Sequence, residues 1–446
     1  MAKQSMRFSS NMPNSSPVLD EEKKQFLLPF RQSDFFNIFV ETDMNTTAFS
    51  PQSLFSERIQ GVPTSFIREI LKVTVQPDII SFAGGLPNPA FFPVEAIKKA
   101  TDKVLTNDGK SALQYSTTEG YLPLREYISA RYKAVQGLDI APDEILITGG
   151  SQQAIDLVGK VFLNKGDVVA IEKPGYLGAI QSLSMYQPRF EGVRLTEEGV
   201  DVDELEALYD RVNPKMFAAI PNFQNPTGLS YTERTRERVA EALVGRNTVV
   251  IEDDPYGELR FAGVRAKSLK HYFGAQCILF GSFSKVAAPG LRLGWVVAAK
   301  PMMDKFVIAK QASDLHTNFF AQRVMYQYLL DNDIDAHIKQ ISEAYGKQRD
   351  AMVSAVQEFF PSEARSTKPE GGMFVWVTMP DNFSTLKFFD EAIKHKVAFV
   401  PGTPFFVDGS GENTMRLNYS CASPETIREG IMRLGKLMEE FMPEAV

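Results

Sequence analysis

The chain is poor in the residues that would announce several kinds of chemistry. Only two cysteines occur in 446 residues, Cys277 and Cys421. That excludes a disulfide framework, and two thiols in apolar or small surroundings read as structural cysteines in a reducing compartment. The four histidines, His271, His316, His337 and His395, show no metal-ligand spacing. No apolar run approaches the roughly 18–20 residues needed to cross a bilayer, and the N-terminus, Met1 to Pro17, lacks the apolar centre of a signal peptide. A net charge of −7 gives no electrostatic reason to expect nucleic acid or a membrane as partner. No GxGxxG follows a strand, no Gly-x-Ser-x-Gly elbow is present, and Gly109-Lys110-Ser111 lacks the upstream glycine of a P-loop. What remains is an expectation of a cytoplasmic globular chain, long enough for two or more domains with a sizeable core.

What is present has order. Residues 1–50 are rich in Ser, Asn, Gln and Phe without a sustained period, and read as a disordered extension or an arm that docks. The aromatic cluster Phe26, Phe30, Phe35, Phe36 and Phe39 favours docking, and Met44 is an alternative start. A helix is expected over 53–74 in two pieces around Pro63, the second opening with cap chemistry at Thr64. Beyond Ala90, short apolar strands alternate with helical patterns. Strands are expected over Ile145–Thr148, Val168–Glu172, Phe190–Leu195, Phe217–Pro221, Val249–Asp253, Cys277–Gly281 and Gly294–Ala298. Such alternation argues an α/β fold with a mainly parallel, mixed seven-stranded sheet covered by helices. Long helical patterns from Met303 to about Ala355, broken at Asp331-Asn332-Asp333, precede two strands near Gly371–Val377 and Met415–Ser420. These suggest a smaller α+β domain. The expected organisation is an extension (1–50), a segment joining the small domain (51–80), a large domain (81–330) and the small C-terminal domain (331–446).

In open α/β sheets ligands sit beyond the carboxyl ends of the strands, so polar clusters following strands carry the interest. Four stand out. Gly149-Gly150-Ser151-Gln152 opens a helix, whose free N–H groups suit a phosphate. Asn222-Phe223-Gln224-Asn225-Pro226-Thr227-Gly228 follows a strand, although Asn-Pro-Thr-Gly alone is plain turn chemistry. Glu252-Asp253-Asp254-Pro255-Tyr256 closes an apolar strand, and burying a carboxylate costs several kcal/mol unless it is paired. Finally Ser282-Phe283-Ser284-Lys285 presents a lysine, with Arg292 seven residues on. A lysine so placed can form a Schiff base, and an arginine beside serines can hold a phosphate. Taken alone, the pair reads equally well as solvated cations in a strand-to-strand connection.

Together, in this order and spacing, the four clusters resemble the fold-type I aminotransferases that use pyridoxal phosphate (PLP). Phe82-Ala83-Gly84-Gly85-Leu86-Pro87-Asn88-Pro89 and Leu113-Gln114-Tyr115-Ser116 bring the resemblance closest to the branch of 2-aminoadipate and kynurenine aminotransferases. It extends from about Ser53 to the C-terminus. The resemblance implies that Lys285 is the catalytic lysine, bonded to PLP and carrying the substrate proton once displaced. Asp253 would pair with the pyridine nitrogen, and Asn225 and Tyr256 would hydrogen-bond the ring's phenolic oxygen. Tyr176 would stack on the ring face. Ser151, Gln152, Ser282 and Arg292 would hold the phosphate, with Tyr115 reaching in from the second subunit of a homodimer. Arg416 would bind the substrate α-carboxylate, Gly85 would line the substrate site, and Arg68 would meet the side chain. Ser284 reads as a turn residue and Asp254 as a solvated or supporting acid.

The implied activity is transfer of an amino group from an L-amino acid (2-aminoadipate, aromatic or branched-chain) to a 2-oxo acid, by resemblance 2-oxoglutarate. A PLP-dependent lyase of the same fold would share every cofactor contact. The effector domain of a transcription regulator is the remaining alternative, although the first 50 residues are too short and insufficiently basic for a winged helix-turn-helix.

Overall fold

The computed structural model describes residues 50–62 and 78–441. Among the described residues, those up to Phe55 and those from Ser56 onward belong to separate units. The described part of the first holds a single 3-10 turn, Pro51–Leu54. In the second, the first expected helical piece is reduced to Glu57–Gln60. Thr64 and its cap, Arg68, Met44 and the aromatic cluster between Phe26 and Phe39 lie outside the described residues.

Fourteen strands build three sheets among the described residues. Strand β1 is Ile80–Ser81. The main sheet comprises β2 (Ile145–Thr148), β3 (Val168–Lys173), β4 (Arg189–Thr196), β5 (Gly199–Val200), β6 (Met216–Ala219), β7 (Val249–Asp253), β8 (Cys277–Ser282) and β9 (Gly294–Val297). The remaining strands are β10 (Arg365–Ser366), β11 (Phe374–Thr378), β12 (Val397–Ala398), β13 (Val400–Pro401) and β14 (Thr414–Asn418).

The main sheet runs β2-β9-β8-β7-β6-β3-β4-β5. All seven expected strands are present; the eighth, β5, is a two-residue edge strand hairpinned onto β4 and too short to register as a hydrophobic period. Pairing is parallel from β8 through β7, β6 and β3 to β4. Only β9 and β5 pair antiparallel to their neighbours. The central strands are Val-, Ile- and Phe-rich and buried on both faces, as crossover connections with helices on each side require. Because β9 runs against β2 and β8, the residues just before it share an edge with those just after β2, β3, β6, β7 and β8. This topology brings Arg292 to the same edge as Ser151, Tyr176, Asn225, Asp253 and Lys285.

The expected long helical stretch is three helices, Lys300–Asp314, Phe319–Asp331 and Ile334–Phe359. The break at Asp331–Asp333 is where it was expected. A second, at Leu315–Asn318, turns on Leu315 with φ of +67°, a conformation no leucine signals in sequence. A four-stranded sheet, β10-β11-β14-β13, packs against the helix Ile334–Phe359, which in turn packs on the C-terminal helix Pro424–Phe441. The chain after residue 77 enters this region directly: β1 pairs in parallel with β12, and Asn418 N donates to Phe82 O. The segment after residue 77 thus meets the C-terminal strands where Arg416 sits, its Nη2 donating to Ala83 O.

Candidate active site

At the carboxyl edge of the main sheet lies a cavity of about 260 Å³. Its walls include Ser151, Tyr176, Asp253, Tyr256, Lys285 and Arg292, with Gln152, Ser282, Leu86 and Pro87 completing much of the rest. Eleven of the fourteen residues on this wall come from the clusters and loop singled out in the sequence: nine from the clusters that follow apolar strands, and Leu86 and Pro87 from the loop.

Lys285 stands in the tight turn after β8, where Ala287 N donates to Phe283 O. Its Nζ donates to Gly85 O at 2.9 Å and lies 5.8 Å from the centre of the Tyr256 ring. Burial, with the nearby Arg416 and Arg292 guanidinium groups, pushes its pKa down to about 8. A substantial neutral fraction near physiological pH is what a nucleophilic amine requires. Asp253 ends β7 with its carboxyl buried. Burial first, then the neighbouring Asp254 and Glu172 charges, raise its pKa to about 7. Tyr256 is buried, edge-on to Phe374, and its phenol is pushed well above the ordinary range by burial. Tyr176 precedes the helix Leu177–Ser184 and burial lifts its pKa to about 12.

The opposite end of the cavity is electropositive. Ser151 starts a twelve-residue helix, Ser151–Phe162, whose first N–H groups have no partner within the helix. Arg292 takes up a left-handed conformation, φ +53°, after the turn Pro289–Leu291, and its Nη2 donates to Gly149 O at 2.7 Å. Gly150 makes this approach possible: its φ is +92°, and a Cβ there would lie 2.7 Å from Arg292 Nη2. Ser282 Oγ accepts from Ser284 N, so Ser284 contributes backbone to the turn, as expected of a turn residue, while also touching the cavity wall. Gln152 Nε2 is directed to Gly178 O at 2.9 Å.

Arg416 lies on β14 between Trp376 and Val400, buried, behind the cavity. Nη1 donates to Asn225 Oδ1 at 2.9 Å and Nη2 to Ala83 O at 2.7 Å. Its guanidinium lies over Phe374, 4.5 Å from the ring centre. Burial lowers its pKa to about 10, leaving it charged at neutral pH.

Among the described residues, Ser151 Oγ, Asp253 Oδ1 and Arg416 Nε are buried without a hydrogen-bond partner. Leaving such groups unpaired costs about 1–3 kcal/mol each. A ligand with a cationic ring nitrogen facing Asp253, an anion at the Ser151 helix and a carboxylate at Arg416 satisfies all three. PLP carrying an amino acid has these groups, so the residues fit this cofactor.

The structure also corrects or extends the sequence reading. Tyr115 is 78% exposed and packs edge-on against His316, away from the cavity wall. Gly85 meets the site through its carbonyl. Arg68 lies outside the described residues. Asp254 accepts from Asn222 Nδ2 and Gly257 N, which makes it a loop-holding acid. Cys277 is buried, but Cys421 is exposed, its Sγ 3.1 Å from Leu86 O; small neighbours do not bury a residue that starts a turn. Glu172, overlooked as the end of a strand, is a second buried carboxylate adjoining the site.

The chain belongs to the aminotransferase family of classes I and II, which matches residues 78–434. It is 44% identical over 394 residues to the 2-aminoadipate transaminase of Thermus thermophilus, covering 87% of this chain and 97% of that one. It is 42% identical over 397 residues to aromatic-amino-acid aminotransferase 1 of Thermococcus litoralis, covering 88% and 95%. Among solved structures, a kynurenine aminotransferase of Pyrococcus horikoshii in complex with PMP superposes with a TM-score of 0.85 at 41% identity, covering 88% of this chain and 98% of that one. The protein is a PLP-dependent aminotransferase by family and by fold.

Proposed function

We propose that the enzyme transfers the amino group of 2-aminoadipate and of aromatic amino acids to 2-oxoglutarate, working as a cytoplasmic homodimer. The relatives act on donors of both kinds by name. The unpaired Asp253 carboxylate, facing a lysine of lowered pKa across one cavity, carries the cofactor assignment. Two free cysteines suit a reducing compartment, and no helix among the described residues is long and apolar enough to cross a membrane.

PLP, when bound, supplies an electron sink for the pair left on the substrate Cα as its proton departs. On this reading Asp253 holds the pyridine nitrogen protonated; a cationic partner also returns the buried carboxyl to its charged form. Tyr176 covers one ring face. Asn225 and Tyr256 donate to the phenolic oxygen, and Asn225 is itself oriented by Arg416 Nη1. Ser151, Gln152, Ser282 and Arg292 anchor the phosphate. Arg416 would receive the substrate α-carboxylate through its unpaired Nε, and its buried setting would strengthen that pair. The neutral Lys285 amine would take and hold the proton that leaves the substrate Cα. Held on one partly buried lysine, that proton would exchange with solvent only to a limited extent.

Tyr115 and Arg68 complete the proposal. The exposed Tyr115, near exposed Leu113 and Leu315, would reach the phosphate of the second subunit, and Arg68 would meet a distal carboxylate. A donor panel with and without 2-oxoglutarate tests the substrate reading, and sedimentation tests the dimer. Loss of 2-aminoadipate turnover alone in Arg68→Ala would support the side-chain role; equal loss for phenylalanine would remove it.

A further inference from the structure

Glu172 is the penultimate residue of β3 at the carboxyl edge of the main sheet, 2% exposed, and takes no part in the chemistry described so far. Its two oxygens are nevertheless fully engaged. Oε1 accepts from Ile220 N at 3.0 Å and from Tyr231 Oη at 2.7 Å, and Oε2 accepts from Gln224 Nε2 at 2.9 Å. Burial raises its pKa to about 7, with these three donors opposing. A carboxyl without a cationic partner in such a place is expensive, and the donors are arranged around it at the meeting point of two loops.

Gln224 is the hinge of that arrangement. Its Nε2 also donates to Pro174 O at 2.9 Å, two residues from Tyr176. Its Oε1 accepts from Thr227 N and Thr227 Oγ1. Its backbone closes the turn, Gln224 N donating to Leu229 O and Gly228 N to Gln224 O. Asn225 is the next residue. Every polar group of Gln224 is therefore spent on fixing the loop of Asn225 to the loop of Tyr176, and Glu172 holds Gln224 in that pose. On the site side, Glu172, Tyr176 and Asp253 border a small internal cavity of about 30 Å³.

We propose that Glu172 is a positioning residue: acting through Gln224, it sets Asn225 and Tyr176 relative to each other and so fixes two contacts on the cofactor ring at once. The inference rests on the cofactor reading given above and adds to it a residue that touches neither cofactor nor substrate.

The test uses wild type, Glu172→Gln and Gln224→Met, each as apoprotein reloaded with PLP. Three quantities are read: the PLP dissociation constant, the pH midpoint of the visible absorbance of the loaded protein, and the melting temperature of the apoprotein. Releasing Asn225 removes a donor from the phenolic oxygen, which then holds a neighbouring proton more tightly. Both variants should bind PLP about tenfold more weakly, the scale of one lost charged-group hydrogen bond, and both midpoints should move upward. Gln224→Met changes no charge, so it separates positioning from electrostatics. If Glu172 acted only by its charge near Asp253, Gln224→Met would leave the midpoint in place and Glu172→Gln would move it downward. If its role were merely structural, melting temperatures would fall with midpoints unchanged. Either result overturns the proposal. Should Glu172→Gln not fold, Gln224→Met decides alone. A wild-type protein that takes up no PLP would instead defeat the cofactor reading, an outcome visible before any variant is made.

Discussion

Arg416 and Asn225, 191 residues apart in sequence, share a buried 2.9 Å hydrogen bond from Nη1 to Oδ1. It links the two sheets across the site. The side chain proposed for the substrate carboxylate thereby orients the side chain proposed for the ring oxygen, so substrate binding and cofactor geometry are joined through one contact. Arg416→Ala should raise KM for every amino acid by a similar factor, since truncating a buried charged partner costs about 2–5 kcal/mol. Arg416→Lys should recover only part of this, a single ammonium being unable to hold both Asn225 and a carboxylate in a fork. Steady-state kinetics with 2-aminoadipate and phenylalanine check both statements; an effect confined to the dicarboxylic donor contradicts them.

The depressed pKa of Lys285 governs cofactor loading. An exposed lysine is mostly protonated until pH exceeds 10, whereas one near 8 is half neutral there. The rate at which apoprotein takes up PLP should rise with pH and level off above about 8, followed by absorbance in stopped flow. A rate still climbing at pH 10 contradicts a buried, desolvated amine.

Asp253 and Glu172 predict the pH dependence of the apoprotein's stability. Both carboxyls have folded pKa values near 7, raised chiefly by burial. The fold therefore binds more protons than the unfolded chain from the ordinary carboxylate range up to about 7, and stability falls as pH rises through that window. The apoprotein's melting temperature should drop between pH 5 and pH 8, and less so in Asp253→Asn. Loading wild type with PLP should flatten the same profile, since a cationic ring nitrogen favours the charged Asp253.

Gly150→Ala tests the anion end. A methyl group there meets the Arg292 guanidinium at 2.7 Å, on a backbone at φ +92°. The strain, of order 1–3 kcal/mol, should appear as PLP affinity weakened roughly ten- to a hundredfold, measured by equilibrium dialysis, with the fold retained. Unchanged affinity would remove Arg292 from the phosphate site.

The sheet was legible because its seven long strands are runs of β-branched and aromatic residues, and the site was legible because polar residues close those runs. Asp253 and Lys285 stand out for that reason. What escaped depended on tertiary pairing. Glu172 also lies near the end of a strand, yet only the fold brings Tyr231, fifty-nine residues on, against it. The kink at Leu315 follows from a backbone angle that leucine does not advertise. The two-residue β5 has no period to read. Tyr115 lies outside the cavity of its own chain, and its expected reach into a second subunit concerns a contact between chains that a single chain does not display.

The most direct measurement is a half-reaction with purified, PLP-loaded protein and L-2-aminoadipate or L-phenylalanine in the absence of any acceptor. The account predicts one equivalent of 2-oxo acid per active site and then a halt, with turnover resuming when 2-oxoglutarate is added and glutamate appearing in step. Continued release of ammonia or carbon dioxide without acceptor would contradict it.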